Sequence, residues 1–167
     1  MSTLRVDKIE GMDTASKVIM PAGITLQTLE GFTYTRATST SATFVDSGAS
    51  VAITPKFSTS KVLIICKHTF ETNSSTSVRA GLRLLRDTTN IAELDNMIGY
   101  NYNTGENHVT GGTGVGFVLD SPNTTSAITY KSQFNNNSAS GTVYCNADDS
   151  SSYERSRGSI IVMEIAQ

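Results

Sequence analysis

Apolar and polar residues alternate with a period of two along most of this chain, most clearly across Lys61–Asp87. There KVLIICKHTFET is followed by NSSTS and then VRAGLRLLRD. In the first run Val62, Ile64, Cys66, His68 and Phe70 share one face of an extended chain, and Leu63, Ile65, Lys67, Thr69 and Glu71 share the other. In the second, Val78, Ala80, Leu82 and Leu84 alternate with Arg79, Gly81, Arg83 and Leu85. Two such runs about an Asn/Ser/Thr turn predict a β-hairpin at the centre of an antiparallel domain.

The same grammar continues on both sides. Phe32–Ala37, Ala42–Val45 and Ser50–Thr54 read as short strands, the last ended by Pro55. Thr89–Leu94 reads as an edge strand and Asp95–Asn107 as a long polar tract. Thr113–Asp120 sets Val115, Phe117 and Leu119 on one face, and its glycines at 111, 112, 114 and 116 predict bulges or close backbone approach. Ser126–Phe134 and Thr142–Asn146 follow, and Gly158–Ala166 is apolar on both faces, as a strand at a sheet centre or subunit interface is. Short strands at this spacing predict an all-β, antiparallel sandwich, jelly-roll-like.

Residues 1–31 differ. Leu4, Val6, Ile9, Val18, Met20, Ile24 and Leu26 come in snatches broken by Gly11, Pro21 and Gly23. An arm of this kind cannot bury its own apolar residues, so the chain divides into an extended N-terminal β arm over 1–31 and a β-sandwich head over 32–167. Leu63, Ile65 and Leu85, with Ile161 and Met163 of the last strand, are expected on outward faces. Apolar residues clustered there form a patch that a symmetric homo-oligomer covers.

Composition narrows the function. Ser, Thr and Asn make up about a third of the chain and Trp is absent, which favours strands and turns over helices. A net charge of −2 leaves no footprint for a polyanion, and the strand arginines Arg79, Arg83 and Arg86 have no aromatic platform in the sequence around them, so no nucleic-acid partner is expected. MSTLRVDKIEGMD lacks an apolar signal region and no run is long enough for a membrane span. Cys66 and Cys145 are therefore expected to be reduced.

Catalytic chemistry is thin. His68, on the face of Cys66, reads as a buried structural histidine and His108 as an exposed one; two ligands at i, i+2 do not make a zinc site. GGTGVG lacks the strand–turn–helix context and the lysine of a phosphate loop. Asp148, Asp149 and Glu154 lie in a solvated loop, so neither a glycosidase pair nor a calcium site is expected; no cofactor or metal is called for. Binding fits better. Tyr100, Asn101, Tyr102, Asn103 and Asn107 supply stacking faces and amides suited to sugars, with Tyr153, Arg155 and Arg157 as a second candidate set.

Several stretches resemble one family. LRVDKIEGMDTASKVIMPAG resembles the N-termini of tail-fibre and other virion proteins of marine and cyanobacterial tailed phages. SVAITPKFSTSKVLIICKHTF, LRLLRDTTNIAE, VLDSPNTTSAITYKSQF and the closing SIIVMEIAQ resemble their C-terminal heads more closely, from about Ser50 to Gln167. The resemblance implies a homotrimeric, non-enzymatic structural virion protein, made in the host cytoplasm. Its N-terminal arm would dock on other virion proteins, and its head would contact a host-surface glycan or protein. The arm runs almost straight into the head, which implies a short fibre. A capsid-decoration or tail-adaptor protein is the alternative, and a polysaccharide depolymerase a further one.

Overall fold

The computed structural model describes residues 22–74, 76–102, 105, 108–138, 140–146 and 156–167. Ten strands are formed and no helix occurs among the described residues. In order they are β1 (Thr25–Thr33), β2 (Ala37–Ser39), β3 (Val45–Ile53), β4 (Lys61–Ser74), β5 (Val78–Arg86), β6 (Thr89–Asn101), β7 (His108–Asp120), β8 (Ile128–Asn136), β9 (Thr142–Cys145) and β10 (Gly158–Ile165). All pairings are antiparallel. They build two facing sheets, the antiparallel sandwich that the alternation predicts.

The first sheet, sheet A, is organised on β4. Along one edge β4 pairs with β7 over its whole length; along the other it pairs first with β10 and then with β9. β1 continues the sheet beyond β10, and β2 beyond β9. Sheet B runs β3-β8-β5-β6. The predicted hairpin does not form: β4 and β5 lie in different sheets, and the connection between them crosses the sandwich. The physical reason is that both strands bury alternate residues on the same core. Facing each other across it, Val62, Ile64, Cys66 and Phe70 meet Val78, Ala80, Leu82 and Leu84, all at most 1% exposed.

Two other boundaries move. β6 runs on to Asn101, so the tract expected to be polar loop is largely edge strand, with Asp95 and Asn96 turned to solvent. β1 is integral to sheet A, with Thr28 opposite Met163 and Gly31 opposite Ile160. Ile24 and Leu26, assigned from sequence to the arm, therefore belong to the head, where both are half-buried. Leu4, Val6, Ile9, Val18 and Met20 lie outside the described residues, as do Asn103, Asn107, Tyr153 and Arg155.

Polar side chains tie the sheets together. Arg86 of sheet B donates to both oxygens of Asp120 in sheet A, at 2.9 and 2.7 Å, and the Tyr130 hydroxyl donates to Asp120 Oδ2 at 2.7 Å. Burial first, and then the neighbouring carboxylate, push the Tyr130 phenol far above its usual range, so it stays a donor. At the end where the described chain begins, Gly23 and Ala166 exchange backbone bonds with their neighbours (Gly23 N–H to Ala166 at 2.8 Å, Ala166 N–H to Ile24 at 2.9 Å). Glu164, fully buried there, accepts from the Lys56 backbone at 2.7 Å and from Gln27 at 2.6 Å.

Candidate interaction surface

The glycines of β7 decide where its large residues go. Gly112, Gly114 and Gly116 face the interior, where side chains of β6 and the core fill the space. A Cβ on Gly116 would lie 2.3 Å from Leu94 Cδ1, and one on Gly114 2.6 Å from Ile98 Cδ1. The close approach expected of this stretch is thus real. Its consequence is a strand whose middle is inverted, with only glycine inside at 112, 114 and 116 and Val115, Phe117 and Leu119 outside.

Register then aligns these side chains with the outer face of the rest of sheet A. One rung is Leu119, Leu63, Met163, Thr28; the next is Phe117, Ile65, Ile161, Glu30; the third is Val115, Lys67, Ser159, Phe32. Phe117 is 69% exposed, Leu119 54% and Phe32 55%, while Leu63, Ile65, Ile161 and Met163 are half-buried among them. At ordinary side-chain areas the apolar surface of these rungs is on the order of 500 Å², the upper range for a soluble monomer and over half of a standard interface's share per partner. The rim is polar: Arg157 lies 4.4 Å over the Phe32 ring and pairs with Glu30 at 2.8 Å.

Four of the five residues expected at a subunit interface (Leu63, Ile65, Ile161, Met163) fall on this face. Leu85 does not. It is on sheet B, opposite Lys131 and Asn90, and only 5% exposed. Its strand pairs regularly with β8, and the extra residues of the irregular β5–β6 ladder lie on β6; Leu85 is not beside Leu63 because the hairpin that would bring them together is not there. Phe117 and Leu119, the most exposed members, were noted from sequence only as sharing a face. The signal that could have placed them is the glycine at every second position opposite.

A second exposed cluster is at the other end of the molecule. β4 spans 14 residues, roughly 45 Å at strand rise; its first residue pairs with Ile165, which faces Thr25 on the other side, and its last pairs with His108. At that far end Tyr100 (38% exposed) and Tyr102 (69%) stand with ring centroids 6.4 Å apart and planes at 72°. Asn101 between them is not a surface amide, as the sequence reading had it. It is 4% exposed and donates to the carbonyls of His108 (2.7 Å) and Ser74 (3.2 Å). Strand alternation turns it inward exactly because its two neighbours turn outward.

Among the described residues, one arrangement has catalytic form, and it is internal. Asn146 Nδ2 donates to the Ser47 carbonyl at 2.9 Å, so Asn146 Oδ1 accepts from His68 Nδ1 at 2.8 Å. His68 Nε2 then accepts from Ser132 Oγ at 2.8 Å, and Ser132 Oγ from Ser47 Oγ at 2.6 Å. Serine, histidine and asparagine in this order make a nucleophile with its base and orienter. All of them are 0% exposed, so no substrate reaches the hydroxyl. Burial holds the His68 imidazole below its usual pKa, the Asn146 bond opposing and Lys67 adding to the shift. The expected structural histidine is what is found. Both cysteines are free and buried; burial lifts the Cys66 thiol to about 11, and burial and then Cys66 lift Cys145 higher, so neither is a thiolate at neutral pH.

Arg83 corrects another expectation. Its guanidinium lies 4.1 Å from the centre of the Phe44 ring and bonds Gln133 Oε1 at 2.6 and 3.0 Å, so an aromatic partner is present after all. The pair is an intramolecular clamp. No group of three or more metal-ligating residues occurs among the described residues.

The geometry defines the class: an antiparallel β-sandwich with one apolar outer sheet face and a polar, tyrosine-bearing far end. No protein-family model matches the chain, and no curated protein is significantly similar to it.

Proposed function

We propose that this chain is a non-enzymatic structural protein of a phage particle, a short tail fibre. Its jelly-roll-like head trimerises through the outer face of sheet A, its N-terminal arm docks on other virion proteins, and the far end of the head meets a host-surface glycan. The observation that carries the assembly is the trio of rungs on sheet A. A strand that keeps glycine inside and Phe117 and Leu119 outside has its apolar residues where another subunit can cover them. The two-ended layout supports the attachment role, because the described chain starts beside one end of β4 and the exposed tyrosines sit at the other. The phage identity rests on the resemblance of the quoted stretches.

Sedimentation of the intact protein tests the assembly, and adhesion of the purified oligomer to host cells tests the receptor role. A trimer that adheres supports both. A monomer sinks the assembly. A trimer that leaves cells bare, yet binds purified particles, identifies a capsid-decoration or tail-adaptor protein instead.

A further inference from the structure

Resting on that reading of the head as adhesive, we propose that Tyr100 and Tyr102, with Arg79 beside them, form a carbohydrate-binding corner at the far end of sheet B. The two exposed surfaces of this molecule differ in chemistry. The face on sheet A centres on Phe, Leu, Ile and Met, side chains with no polar handle, with Thr28, Glu30, Lys67 and Ser159 toward its margin, as a permanently covered interface does. The far end presents tyrosines, which offer an apolar ring and a hydroxyl together, as a surface that must be wet when free and stacked when bound does.

The geometry suits a pyranose. Two rings at 72° with centroids 6.4 Å apart make a floor and a wall. The C–H face of a sugar stacks on one ring while its hydroxyls meet the hydroxyl and edge of the other. The corner is held from below on two sides. Asn101 fastens β6 to the carbonyls of Ser74 and His108, and Thr72 Oγ1 donates to the Gly99 carbonyl at 2.6 Å. Pre-set rings lose little freedom on binding, which is where a small, weakly held ligand gains most.

Arg79 supplies the donor. Register sets Val78 opposite Asn101 and Ala80 opposite Ile98, and Val78, Ala80, Asn101 and Ile98 are all buried. Arg79 therefore faces outward between them, alongside Tyr100. Its Nε is buried with no hydrogen-bond partner among the described residues, unlike Arg83 and Arg86, whose guanidinium groups bond Gln133 and Asp120. A peptide ligand would need a groove or an open strand edge, whereas the edge of β6 is packed against β7. Individual sugar contacts of this kind are weak, and a trimer multiplies them by presenting three corners at once.

The test uses saturation-transfer NMR on the full-length oligomer with methyl glycosides of glucose, galactose, N-acetylglucosamine and glucuronic acid. At least one should receive saturation at millimolar concentration. Tyr102→Ala, at a side chain exposed enough to leave the fold alone, should weaken that glycoside about tenfold, the loss of one good aromatic contact. Tyr102→Phe should keep it within about threefold, since stacking survives. Silence from all four glycosides, or unchanged binding by Tyr102→Ala, would overturn the site. Sedimentation of the same sample separates this from the assembly: a trimer without sugar binding loses only the corner, and a monomer that binds sugar loses only the trimer.

Discussion

His68 shows how a single residue constrains the chain around it. Its ring bonds Asn146 from sheet A and Ser132 from sheet B, so it links the two layers in the middle of the core. Gly158 has to be glycine for this to fit, because a Cβ there would lie 2.5 Å from His68 Nδ1 and 2.3 Å from Asn146 Oδ1. With its folded pKa below the ordinary 6.5, the imidazole stays neutral in the folded protein while the unfolded chain takes up a proton. The stabilisation is complete above about 6.5 and is lost as pH falls through that value toward the lower folded pKa. Urea midpoints should therefore drop between pH 7.5 and 5. His68→Asn should lower stability at pH 7.5 by about 1–3 kcal/mol, since Ser132 or Asn146 loses its partner, and should flatten the pH dependence. An equally steep dependence in the variant would show that another group is responsible. That His68 is buried was readable from its place on an apolar strand face. Its partners were not, because Ser132 and Asn146 lie 64 and 78 residues away in sequence.

Among the elements, β4 and β7 carry the apolar outer face on which the proposed trimer rests. Ile64 points into the sandwich at 1% exposure, and Ile65 sits in the middle rung of the outer face beside Phe117 and Ile161. Ile64→Asp buries an unpaired charge and should prevent folding, leaving insoluble protein or a featureless near-ultraviolet spectrum. Ile65→Asp should fold, with native near-ultraviolet dichroism, and sediment as a dissociated or aggregating species. Normal trimerisation of Ile65→Asp would put the interface on another face. The outward direction of Leu63 and Ile65 followed from alternation alone. Leu85 keeps the alternation of its strand, but that strand belongs to the opposite sheet, so Leu85 cannot join this face.

At the scale of the molecule, the head closes on itself at Gly23 and Ile24. Ala166 bonds on both sides to Gly23 and Ile24, and Glu164 seals the same end through Gln27 and the Lys56 backbone. Removing residues 1–21 should thus leave a folded head, its Tm within a few degrees of the full-length value. A cooperative transition lost on truncation would show that the head needs the arm. If the arm docks on the particle, the truncated head should also keep its sugar binding and lose its binding to purified particles.

The sequence by itself determined the all-β class, the inner and outer faces of most strands, the burial of His68 and Cys66, and an apolar outer face on β4 and β10. Side-chain alternation is local, and a period of two survives whatever the strand later pairs with. Which strands pair is a long-range matter. Only the tertiary structure decided that Lys61–Asp87 splits across the sandwich, that Thr25–Thr33 joins the head, and that β7 adds Phe117 and Leu119 to the face of Ile65. Those outcomes depend on contacts between residues tens of positions apart, competing for the same core.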